Sequence, residues 1–186
     1  RMGNVFVNEA FAVSHRENAS TVGLSKLLPA YAGLHLENEI KYLSKALKPK
    51  KPAVAMIGGS KVKTKFQVIK NFIGIYNKVM LGGGLANTFL VAKGYDVGGS
   101  LFELNEVKKA KSLLNKSRKI ILPIDLIVAD KKTKKIVRQV YVKNQKQLCS
   151  KDEMILDIGP ETVKKYASEI RKAQTMVWGG PMGLLE

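Results

Sequence analysis

Cysteine is nearly absent. Cys149 stands alone, so no disulfide can form within the chain and no cysteine-based zinc site can assemble, a pattern that suits a reducing compartment. Acidic residues are scarce as well: 15 Asp and Glu face 32 Lys and Arg, leaving a formal net charge of +17. Any partner chosen by charge is therefore an anion. No apolar run approaches the ~20 residues of a membrane-spanning helix, and the first residues lack the charged, apolar and small-residue order of a secretory signal, so no membrane partner is expected. In the basic runs Lys48-Pro49-Lys50-Lys51 and Lys131-Lys132-Thr133-Lys134-Lys135 no aromatic residue stands between the lysines. Such runs lack stacking partners for bases; they read as solvated loops, and nucleic acid is not an expected partner.

What the chain does have is a globular balance, 45% apolar and 25% charged, distributed in two periodicities. Apolar residues recur every three or four positions at Leu36, Ile40, Leu43 and Leu47, at Phe66, Ile69, Ile73 and Tyr76, and at Val163, Tyr166, Ala167 and Ile170. Each set lines one helix face. Short apolar runs of strand length lie at residues 53–57, 78–81, 120–122, 126–129, 155–158 and 175–178. Buried strands alternating with helices predict an α/β fold, with helices on both faces of a parallel sheet. Gly94 is placed to stop a helix over 85–93, and Pro160 to start another. Residues 136–142 read as a ribbon entered through the Lys-rich turn. Pro49 and Pro52 bracket a basic linker, so a boundary is expected near residue 50.

Three of the expected strands run straight into glycine, at Gly58-Gly59-Ser60-Lys61, Gly82-Gly83-Gly84 and Gly179-Gly180-Pro181-Met182-Gly183. In a parallel sheet such loops share one edge, where ligands bind outside the carboxyl ends of the strands. Glycine lets backbone amides come close to a phosphate, and the helices after the first two loops are expected to offer free N–H groups to an anion. Lys61 and Lys65, four apart, fall on one side of a helix start, within reach of a polyphosphate. Neither a P-loop nor a dinucleotide fingerprint fits: the first loop lacks the Gly-Lys-hydroxyl order, and Asn87 stands where the fingerprint has Gly or Ala.

At these residues the chain resembles the phosphoglycerate kinase family. The resemblance rests on Val7-Asn8-Glu9-Ala10-Phe11 with His15-Arg16 and Ala19-Ser20-Thr21-Val22-Gly23, on the three glycine loops, on Leu122-Pro123-Ile124-Asp125, and on Asp157-Ile158-Gly159-Pro160. These motifs occur in the family's order along the whole chain, which reads as an internal piece of such an enzyme. The resemblance implies a doubly wound, Rossmann-like nucleotide-binding lobe over 51–186, incomplete, an interlobe helix and linker over 31–50 with the helix spanning 31–47, and over 1–30 the remnant of a second α/β lobe that binds phosphoglycerate.

The implied reaction is phosphoryl transfer between 1,3-bisphosphoglycerate and Mg-ADP, giving 3-phosphoglycerate and ATP. Arg16 would grip the phosphoglycerate; Lys61 would follow the transferring phosphoryl group; Lys65 would hold nucleotide phosphates. Gly58, Gly59, Gly83, Gly84 and Gly180 would line the nucleotide slot, and Glu186 would bind the ribose hydroxyls. The protein ligand of Mg²⁺ would lie outside this chain, and the intact enzyme would be a cytoplasmic monomer. Two departures affect the slot: Gly179 where the family usually has Asn, and Ile155 where it often has Gly beside the adenine. His15 is read as structural or cleft-lining and His35 as a surface or interlobe residue, because this transfer has no proton to abstract. A nucleotide-binding module without catalysis and a basic nucleic-acid-binding protein are the alternatives. Arg16 argues against the former, since a pure nucleotide module has no use for it.

Overall fold

A computed structural model describes residues 3–184, which fold as two compact units, Arg1–Lys48 and Pro49–Glu186. In the first unit, strand β1 (Phe6–Asn8) pairs in parallel with β2 (Ala30–Ala32), and helix α1 covers Leu34–Leu47. The helix thus begins three residues later than the sequence suggests. Tyr31 belongs to β2, where its backbone is committed to the ladder with Val7. Of the α1 stripe only Leu36 is buried; Ile40, Leu43 and Leu47 are exposed. The Glu9 carboxylate accepts the first free amides of α1, from His35 at 3.3 Å and Leu36 at 3.1 Å, where an anion best complements the helix dipole.

The second unit is built on a four-stranded parallel sheet. Strands β3 (Ala53–Ile57), β4 (Lys78–Leu81), β5 (Ile120–Ile121) and β9 (Thr175–Gly179) lie in the order β5-β4-β3-β9. The central strand β3 is buried along its whole length, as a strand covered on both faces must be. Ala53, Ala55 and Ile57 point to one face, packing with Val62 and Ile69 of helix α2 (Val62–Ile75), Leu85 and Phe89 of α3 (Gly83–Ala92) and Ala110 of α4 (Val107–Lys116). Val54 and Met56 point to the other, against Tyr166 and Ile170 of α5 (Pro160–Arg171). Period-two alternation in one strand therefore feeds two helix layers, and the sheet is doubly wound. Gly94 ends the α3 segment at φ +89° and Pro160 opens α5, both as the sequence predicts.

Two of the six expected strand runs do not join this sheet. Strands β6 (Asp125–Asp130), β7 (Ile136–Tyr141) and β8 (Glu153–Ile158) form a separate antiparallel sheet, ordered β7-β6-β8. The antiparallel pairing of β6 with β7 follows from their connection: the Lys-rich stretch is a tight turn and no crossover helix. Asp130 Oδ1 accepts the amides of Lys132 at 3.0 Å and Thr133 at 2.7 Å, and Lys134 takes the left-handed conformation at φ 61°. Apolar content alone does not separate a parallel from an antiparallel strand. The ribbon over residues 136–141 is as expected. Helix α4 is an addition; its Val107, Ala110 and Leu114 stripe is short and diluted by lysines.

Candidate functional site

The three glycine loops are laced together by their own backbones. Gly58 N–H donates to the Gly179 carbonyl at 3.0 Å, Gly59 to Pro181 at 2.8 Å, Gly82 to Ile57 at 3.1 Å, Gly83 to Met182 at 2.6 Å and Leu85 to Gly59 at 3.0 Å. This follows from the sheet: β3 lies between β4 and β9, all three are parallel, and their carboxyl ends emerge side by side. The approach is so close that a Cβ on Gly58 would overlap the Pro181 carbonyl, so no other residue fits there without moving a loop. Behind the third loop, the Trp178 indole Nε1–H donates to the Gly180 carbonyl at 2.7 Å, while the ring itself is 64% exposed.

Beside the loops lies a cavity of about 280 Å³. Gly59, Ser60, Gly83 and Gly84 form one wall; Leu101, Pro123, Leu126, Met154, Ile155 and Leu156 form apolar surfaces around it, closed by Pro181 and Met182. Such a slot, with bare peptide on one side and aliphatic side chains on the other, suits a flat ring whose polar tail leaves past the amides. Ile155 is 8% exposed and its bulk sits in that wall. Asp157 is the one carboxylate of the lining among the described residues. Asn87 also lines the cavity; its Nδ2 donates to the Leu101 carbonyl at 3.1 Å, and its buried Oδ1 has no partner. Neither Asp157 nor Asn87 is a site residue on sequence grounds. Asn87 carried a faint signal, as the polar residue that breaks the dinucleotide fingerprint.

The other expected site residues are placed unevenly. Gly59, Gly83 and Gly84 line the cavity; Gly58 belongs to the lacing, and Gly180 packs so close to it that a Cβ there would overlap the Gly58 carbonyl. Lys61 is the N-cap of α2 and exposed; Lys65 is half-buried one turn on, and neither is part of the cavity wall. Arg16 and His15 are exposed residues of the first unit. Glu186 lies outside the described residues. One expectation is corrected: the N-terminal amides of α2 are not free. Glu103 Oε1 accepts Val62 N–H at 2.7 Å and Oε2 accepts Lys63 N–H at 3.1 Å. The same positive helix end that would draw a phosphate has drawn a carboxylate of this chain from about 40 residues away. Among the described residues no group of three or more His, Cys, Asp or Glu gathers to hold a metal ion.

Behind the site, two side chains fix the frame. Asp125, fully buried, accepts the first amides of α5 from Glu161 at 3.0 Å and Thr162 at 2.6 Å, with Gln139 Nε2 at 2.7 Å. Burial pushes its carboxyl up, but the hydrogen bonds, led by that of the Thr162 hydroxyl, outweigh it and hold it below the ordinary range. The Tyr166 hydroxyl, its pKa raised by burial, lies 2.8 Å from the Leu81 carbonyl and 3.1 Å from that of Ile121, tying α5 to the strand ends next to the second glycine loop.

The phosphoglycerate kinase family model matches residues 1–186. Phosphoglycerate kinase of Chloroflexus aggregans is 42% identical over the full chain, and that of Francisella philomiragia 46%. The chain spans about half the length of these curated relatives, 47% and 48% respectively. Among solved structures, phosphoglycerate kinase of Coxiella burnetii superposes with a TM-score of 0.86 at 39% identity, covering 97% of this chain and 47% of that one. The enzyme of Pyrococcus horikoshii gives 0.85 at 31%, covering 97% and 46%. Matched from end to end by the family model and by these relatives, the chain belongs to the phosphoglycerate kinase family.

Proposed function

We propose that this chain is the nucleotide-handling part of a two-lobed kinase that moves a phosphoryl group between 1,3-bisphosphoglycerate and ADP. The observation that supports it best is the convergence of three glycine loops on one slot, with Lys61 and Lys65 at the adjoining helix start. In this reading the base enters between the glycine wall and Leu101, Leu126 and Ile155. Gly83 and Gly84 bring backbone close to the phosphates, Lys65 holds them, and Lys61 neutralises charge on the group in flight. Arg16, from the first unit, supplies a planar fork for the phosphoglycerate. Glu186 meets the ribose. No side chain need remove a proton, because an acyl phosphate and a nucleotide exchange a phosphoryl group by positioning and charge neutralisation.

Mg²⁺ accompanies the nucleotide in this reading and would supply further charge neutralisation at the phosphates, its protein ligand lying outside this chain. A cytoplasmic, monomeric intact enzyme belongs to the same proposal and rests on the family alone; among the described residues no helix is long and apolar enough to cross a membrane. The experiment is calorimetric titration of the chain with Mg-ADP beside a coupled assay for ATP formation from 1,3-bisphosphoglycerate. Weak ADP binding without turnover is expected, since catalysis needs groups the chain lacks. A folded chain with no affinity for ADP overturns the nucleotide reading, and turnover at the rate of an intact kinase overturns the division of labour.

A further inference from the structure

We propose that Glu103 is a positioning residue that fills the anion site at the start of α2 and so leaves Lys61 and Lys65 to meet the nucleotide's phosphates by side chain alone. This rests on the nucleotide reading above. The helix that follows the first glycine loop has the features of a phosphate cradle: a glycine turn, first amides with no partner within the helix, and two lysines. Yet both carboxylate oxygens of Glu103 are already spent on it, one on Val62 N–H at 2.7 Å and one on Lys63 N–H at 3.1 Å. A fixed negative charge there repels a second anion as well as using up the donors.

Glu103 is in turn anchored to the other loop. Its backbone N–H donates to Thr88 Oγ1 at 3.1 Å, and that hydroxyl donates to the Gly84 carbonyl at 3.3 Å. The residue therefore clamps the first turn of α2, which carries Lys61 and Lys65, to the first turn of α3, which carries Gly83 and Gly84. The lysine ammonium groups are left to meet a polyphosphate by side chain alone. Their helix contributes its register and withholds its backbone.

The test uses the whole 186-residue chain, ¹⁵N-labelled, as wild type, Glu103→Ala and Glu103→Gln, titrated separately with pyrophosphate and with ADP while the amide resonances of Val62, Lys63, Gly83 and Gly84 are followed. In wild type, neither ligand should move Val62 or Lys63. In Glu103→Ala, pyrophosphate should move both in a saturable way, with Kd about tenfold lower than for wild type, the worth of one charge-assisted contact. Glu103→Gln removes the charge and leaves one acceptor oxygen for two amides, so if the Ala variant fails to fold it should show a new shift at the amide that loses its partner. A residue that merely braces the loop would lower Tm without creating an anion site. The proposal is overturned if wild-type Val62 and Lys63 shift as strongly as in the variants, or if a folded variant shows no new shift. Should ADP move no resonance in wild type, the nucleotide reading falls, while the pyrophosphate arm still decides the role of Glu103.

Discussion

The amide of Gly59 donates to the carbonyl of Pro181 at 2.8 Å, joining residues 122 positions apart through backbone alone. The first and third glycine loops are thus one object, and its two adjacent glycines are there for different reasons. Gly58 has no room, because its Cβ would overlap the Pro181 carbonyl; Gly59 has open space but sits at φ +100°. Gly58→Ala should cost about 1–3 kcal/mol by overpacking and should weaken ADP binding by prising the loops apart. Gly59→Ala should cost about 1–2 kcal/mol through backbone strain. Chemical denaturation with ADP titration checks both; a harmless Gly58→Ala would mean that the lacing is loose in solution.

The lysine roles separate in a full-length kinase that carries this segment. Lys61→Ala is expected to lower kcat by ~10²-fold or more, the scale of one lost preorganised donor to developing charge. Lys65→Ala is expected to act mainly on the KM for nucleotide. Steady-state kinetics on both variants, with equal effects on both constants, would show that the roles have been divided wrongly.

Gly179 is a position at which the family resemblance leads one to expect Asn, and nothing lies within 4 Å of the place its Cβ would take. Gly179→Asn should therefore fold without penalty and tighten ADP binding by up to about tenfold, the gain from one hydrogen bond. Calorimetry on the variant reads this directly, and unchanged affinity would mean that the phosphates pass this residue at a distance.

Acid should loosen the frame through Asp125. Its folded pKa is depressed, so its contribution is fully present above the ordinary carboxylate value of about 3.9 and is lost as pH falls through the lower folded value. Asp125→Asn should be less stable than wild type by about 1–3 kcal/mol at neutral pH, because an amide cannot accept from all the donors around it. That deficit should shrink below about pH 4 as the wild-type carboxyl takes up its proton. Paired Tm measurements across the acid range test it; a constant deficit would place the loss in packing.

The frame of the second unit was legible because its signals are local. Strand β3 announces itself by a five-residue apolar run, α2 by its stripe, and each glycine loop by sitting directly after a strand. The loops' convergence followed from parallel topology, which the alternation of elements implied. What sequence reading missed depends on partners far along the chain. Glu103 looks like any acid in a loop until folding sets it against Val62 and Lys63, and Asn87 is a helix residue until Leu101 closes over it. The antiparallel sheet was hidden for a different reason: β6 and β8 are as apolar as parallel strands, and the tight Lys132-Thr133 turn fixes only the direction of β7 against β6.

Trp178 is the only tryptophan of the chain, and its ring is largely in water while its Nε1–H rests on the Gly180 carbonyl. The molecule therefore carries its own optical reporter at the start of the third loop. Emission from a single indole, placed where solvent and a backbone dipole compete for it, follows any rearrangement of that loop without a label, at wavelengths where the adenine base emits nothing.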